Sequence, residues 1–102
     1  VTFRMPFAMT LNAGEAGVRA SLTGAGSTSG TTTIDINEGG STILSTKCTI
    51  DDGDLTSVGA TSAGVVSDVN LADNASITVD VDAVTGGADE TGLKIQLIGT
   101  LA

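Results

Sequence analysis

Few side chains in this sequence could do chemistry, and their spacing decides how each is read. Asp51, Asp52 and Asp54 put three carboxylates into four residues around Gly53, a density found in calcium sites. The spacing misses the alternating acidic pattern of an EF-hand loop and no bidentate Glu follows at the right distance, so the cluster reads as a solvated turn and no metal ligand is assigned. Asp80 and Asp82 would share one face of a strand about 7 Å apart, a separation that inverting glycosidase carboxylates also use. No Trp or Tyr is present to stack on a sugar, and both read as outward, solvated positions. Cys48, the single cysteine, stands in the run Thr46, Lys47, Cys48, Thr49, Ile50 and reads as a small half-buried strand residue, not a nucleophile. The tripeptide Asn74, Ala75, Ser76 fits a glycosylation acceptor but is short enough to arise by chance, and it is given no weight. With no His, the chain lacks the commonest general base and metal ligand. No catalytic residue, cofactor-binding residue or cofactor is assigned, and an enzyme is not expected.

The elements that would position these groups come from a lean, acidic chain. Four Lys plus Arg stand against 12 Asp plus Glu, a formal net charge of -8. Such a surface repels polyanions, so nucleic acid is excluded as a partner. Solubility is the plain reading of the acidity, with a basic protein partner as the functional one. No run approaches the roughly 18 apolar residues of a membrane span, so no membrane insertion is expected. At 102 residues the chain suits one domain, 1–102, and too few residues remain for a second core. Val1 stands where an initiator Met would and already starts an apolar alternation, so the expectation is a domain taken from a longer chain.

Period-two alternation in short runs between Gly-rich turns predicts antiparallel strands and no helix. Phe7, Met9 and Leu11 form one run, with Pro6 separating two short strand pieces. Val18, Ala20 and Leu22 form the next, followed by the flexible loop 24–30. Residues 31–50 predict a hairpin: Ile34 and Ile36 face one way, Thr33, Asp35 and Asn37 the other, and Glu38, Gly39 and Gly40 turn the chain toward Ile43, Leu44 and Ile50. Val65, Val66, Val69 and Leu71 predict one short strand among loops. Ile77, Val79 and Val81 are then expected to pair with Leu93, Ile95 and Leu97 across a turn at Gly86 and Gly87, all six facing one aliphatic core. Seven or eight such strands cannot bury their faces as one sheet. The predicted fold is therefore all-β, an antiparallel two-sheet β-sandwich of jelly-roll type. The 16 Thr, many at outward positions such as Thr31, Thr33 and Thr78, suit a solvated sheet face.

Along this framework the runs Phe3-Arg4-Met5-Pro6, Val18-Arg19-Ala20-Ser21-Leu22, Ile34-Asp35-Ile36-Asn37-Glu38-Gly39-Gly40, Ile43-Leu44-Ser45-Thr46-Lys47, Leu71-Ala72-Asp73 with Ile77-Thr78-Val79-Asp80, and Gly92-Leu93-Lys94-Ile95-Gln96-Leu97-Ile98-Gly99 resemble, in that order, a module of tailed-bacteriophage virion proteins. The likeness covers nearly the whole chain. It departs from the module in an insertion around Asn12 to Gly17 and in Cys48, where an aliphatic residue is usual. The resemblance implies a non-enzymatic structural module in the virion, either a capsid decoration or cement domain on the major capsid protein or a distal fibre domain adsorbing to a host surface glycan. A polysaccharide hydrolase is the weakest reading, because only paired Asp residues could serve as acid and base. Modules of this kind usually act as oligomers, and a homotrimer is expected. Phe3, Ile98 and Leu101 are the candidate interface residues, since they are apolar where other outward positions carry Thr or Asp.

Overall fold

The Gly39-Gly40 pair sets the register of the central hairpin. Both residues have positive φ, 58° and 90°, the left-handed backbone that a two-residue reversal needs and that Gly adopts without strain. The computed structural model describes residues 2–23, 30–83 and 92–102; positions 24–29 of the loop expected at 24–30, and the Gly86, Gly87 turn, lie outside the described residues. Twelve strands occur among the described residues: β1 (Thr2–Arg4), β2 (Met9–Leu11), β3 (Val18–Ser21), β4 (Thr32–Glu38), β5 (Ser41–Thr42), β6 (Leu44–Thr46), β7 (Cys48–Ile50), β8 (Val65–Val66), β9 (Asn70–Leu71), β10 (Ser76–Ala83), β11 (Lys94–Leu97) and β12 (Gly99–Leu101). One 3-10 turn, Glu15–Gly17, precedes β3. All pairings are antiparallel. The chain is thus all-β, built from several antiparallel sheets.

The largest sheet runs β1-β10-β4-β5, with β7 also pairing β4. The return from the hairpin is not one strand. Asn37 pairs Thr42, whereas Ile34 pairs Cys48, so the five residues 43–47 stand against only Asp35 and Ile36 and, after the Ile43 N–H bonds the Ile36 carbonyl, the chain swings away from β4. That excursion lets β6 pair with β8 in a separate two-stranded sheet. Residues 55–75 likewise hold two short strands, β8 and β9, where the alternation predicted one.

Residues 9–21 run along residues 94–101 in an interrupted ladder. Met9 faces Leu101 and Leu11 faces Gly99; Val18 faces Leu97 and Ser21 faces Lys94. Between the two stretches Ile98 accepts from the Asn12 N–H and donates to the Gly17 carbonyl, so residues 13–16 bulge out while the ladder resumes. Gly17 and Gly99 permit it. A Cβ on Gly17 would meet the Asn12 carbonyl oxygen, and one on Gly99 the Thr10 carbonyl oxygen.

Pairing of Ile77, Val79 and Val81 with Leu93, Ile95 and Leu97 does not occur. β10 lies between β1 and β4, with Val79 opposite Ile36 and Phe3 opposite Ile77. β1 takes one edge at Ser76–Thr78 and β4 runs along the other, and β11 pairs with β3. Val81 is exposed and leaves the expected core, whereas Ile77 is fully buried and Val79, Leu93, Ile95 and Leu97 pack partly buried against it. One hydrophobic cluster draws residues from every sheet. Its sealed centre is Ile34, Ile36, Ile43, Ile50, Leu71, Ile77 and Cys48. Each buried branched aliphatic side chain there contributes on the order of 1.5–3 kcal/mol.

Candidate functional site

Where β1 and β10 approach β11, the apolar cluster is not closed over. A groove of about 260 Å³ opens there, and Phe3, Met9, Val79, Ile95 and Leu97 are among its lining residues. The whole lining carries no charged side chain. A second opening, bounded by Phe3, Val79, Leu93 and Ile95, shares three of these residues. Local register explains the arrangement. Phe3 sits opposite Ile77 on β1 and so faces inward, but with no strand outside it among the described residues the ring remains 40% exposed. Ile95 faces Ala20 and Leu97 faces Val18, both buried, which aims Ile95 and Leu97 at the same space.

The three candidate interface residues occupy different places around this groove. Phe3 lines it. Leu101 is 71% exposed and pairs with Met9, another lining residue, which places Leu101 on the groove's side at the end of its sheet. Ile98 joins β11 to β12, and alternation turns its side chain to the opposite face from Ile95 and Leu97. Phe7, exposed at 46%, also lines the groove, a role its place at the start of an alternating run does not reveal.

The polar candidates are engaged in local structure. Asp51 accepts from the Thr61 N–H and hydroxyl at 2.9 and 3.1 Å, and its carbonyl accepts from the Asp54 N–H. Its carboxylate thus ties two loops together. Among the described residues no group of three His, Cys, Asp or Glu side chains could hold a metal ion. Asp80 accepts from the Asn37 amide at 2.9 Å, while Asp82 pairs with Lys47 at 2.6 Å. The hydrogen bond and charge of Asp82 hold the Lys47 ammonium above its ordinary pKa of 10.5. Asp35, across from Asp80, is almost fully covered; its carboxylate accepts from the Thr42 hydroxyl at 2.5 Å and from the Ile36 N–H at 2.9 Å. Two facing carboxylates would repel, and these separate bonds draw them to different partners.

Cys48 is fully buried on β7, not half-buried. Burial pushes its thiol above the ordinary 9.0, against hydrogen bonds to Ser57 and Ala20 that lower it. A thiol so held is a core side chain. Nearby, a smaller cleft of about 140 Å³ lies between Glu15, Arg19 and the 57–64 loop. Ser57 at its floor is buried and accepts from the Ala20 N–H at 2.9 Å.

No helix among the described residues is long and apolar enough to cross a membrane. Comparison with known proteins finds no matching family model, no matching curated protein and no matching solved structure.

Proposed function

We propose that this chain is a non-enzymatic bacteriophage virion module, a capsid decoration or cement domain that acts as a homotrimer on the major capsid protein. The observation that carries the proposal is the open, charge-free apolar groove on a chain of net charge -8. A surface this acidic gains nothing by exposing that groove to water, and it gains stability if another subunit covers it. The order of motifs along the chain supports the virion setting. The acidic outer surface suits basic patches on a coat lattice. In the same reading the sheets stack as a jelly-roll β-sandwich, supported by the single apolar cluster that draws on every sheet. Phe3, Ile98 and Leu101 are the proposed contacts between copies.

A distal fibre domain adsorbing to host glycan is the second reading, favoured by one feature of the largest sheet. Thr2 pairs Thr78, Thr78 pairs Asn37 and Asn37 pairs Thr42, a row of hydroxyls and an amide across four strands. The exposed Asp80 stands beside this row. Such a face offers hydrogen bonds to sugar hydroxyls without an aromatic platform.

Density of an intact virion tests both readings. Hundreds of copies at regular capsid positions support decoration. A few tens at the tail would move the module to the fibre, and absence from the particle would overturn the virion reading.

A further inference from the structure

The groove is flanked by two strand edges that no described residue pairs. Their direction follows from where the neighbouring residues spend their hydrogen bonds. Ala20, opposite Ile95, uses its N–H on the Ser57 hydroxyl and its carbonyl on the Ser57 N–H. Leu11, opposite Gly99, donates to Val69. Ile95 and Gly99 are therefore in the wide, unbonded kind of antiparallel pair and point their own N–H and C=O away from the ladder. Alternation extends the pattern to Leu97 and Leu101, whereas Ile98 bonds inward to Asn12 and Gly17. Four successive odd positions thus form one free edge about seven residues long. On the other side of the groove Ser76 gives its carbonyl to Gly39 across β10, so Arg4, opposite Ser76, points its backbone outward, and Thr2 does the same.

Resting on the trimer reading, we propose that the free edge of residues 94–101 receives the β1 edge of a second copy of this chain, closing the groove around a ring. A three-fold assembly requires a head-to-tail contact in which one surface meets a different one. The two free edges are such a pair, and unpaired edges of this kind accept added strands. Charge selects the occupant. Residues 92–102 and β1 contain no Asp or Glu, and each contributes one basic residue, Lys94 and Arg4. A basic coat segment would meet Lys94 and Arg4 here. Two copies of this acidic chain can meet at these edges without bringing carboxylates of the edge strands together.

Residue-resolved amide hydrogen exchange on the full chain, followed with sedimentation from dilute to concentrated solution, tests the proposal. The expected result is a trimer in which the amides of Ile95, Leu97, Gly99, Leu101 and Arg4 become protected together as the trimer forms, while Gln96 and Ile98 are already protected in the monomer. The variant Leu101→Asp, at a position the monomer leaves exposed, is expected to weaken association by roughly tenfold or more with an unchanged exchange pattern in the monomer. A trimer whose odd-numbered amides stay unprotected would overturn the edge contact and leave the trimer reading standing. A dimer protecting 95–101 but not Arg4 would show the edge pairing with itself, overturning head-to-tail closure. A monomer at every concentration would remove both.

Discussion

The two flanks of the largest sheet carry the same apolar alternation and end differently. On one flank β4 has β10 along one edge and β5 and β7 along the other, and Ile34 and Ile36 are sealed. On the other flank β1 has, among the described residues, only β10, and Phe3 remains two-fifths exposed above an open groove. Side-chain pattern alone cannot produce this difference, since Phe3 and Ile36 both face inward from strands paired to β10. Whether a strand has a neighbour on its far edge decides it. The sealed flank buries its apolar side chains within the fold; the open flank leaves apolar area uncovered.

The sharpest way to break that contrast is to remove apolar volume from each flank. Ile36→Ala is expected to cost about 2–5 kcal/mol, read as a lower urea midpoint. Ile95→Ala, lining the groove, is expected to cost clearly less in the monomer. Equal losses would show that the groove is as tightly packed as the core. Next in size is Gly17→Ala, which forces a Cβ against the Asn12 carbonyl oxygen and Val66. A loss of about 1–3 kcal/mol is expected from moving the bulge at residues 13–16. A midpoint equal to wild type would show that the bulge gives way freely.

Alkaline pH sharpens the picture of the sealed side. The folded state holds the Cys48 thiol above its ordinary 9.0. As pH rises past that value the unfolded chain loses its thiol proton first, so stability is full below it and falls above it. Lys47 acts in the same direction at higher pH: its ion pair with Asp82 contributes below 10.5 and is lost as pH rises through the raised folded value. Urea midpoints from about pH 7 to about pH 10 are expected to fall, and Cys48→Ala is expected to flatten the first part of that fall. An unchanged slope in the variant would mean the thiol is not sheltered. The smallest effect belongs to the open side: Leu101→Ser is expected to leave monomer stability within about 0.5 kcal/mol, checked by the same midpoint at dilute concentration.

Much of this layout was legible in the sequence. Ile34, Ile36 and Ile77 announce buried faces because a strand with one face on a core must alternate, and Gly39-Gly40 announces the hairpin because few residues tolerate its backbone. Pairing was not legible. Alternation says which face of β10 is apolar, but which strands flank it depends on contacts between distant parts of the chain, so β1 and β4 took the edges expected for β11. The detour at residues 43–47 was hidden for the same reason, since Ile43, Leu44 and Ile50 look like one return strand. Of the groove, Phe3 and Leu101 stood out as apolar residues in a Thr-rich setting. Phe7, Met9, Val79, Ile95 and Leu97 looked like ordinary core, because periodicity does not distinguish a central strand from one at an open edge.

If further copies of this chain complete the open flank, its mass in solution must show it. Sedimentation equilibrium at micromolar concentration tests it most directly. A mass three times the chain's 10.0 kDa is expected, falling toward the monomer on dilution and in the Leu101→Asp variant. A mass that stays at 10.0 kDa through the micromolar range would contradict it.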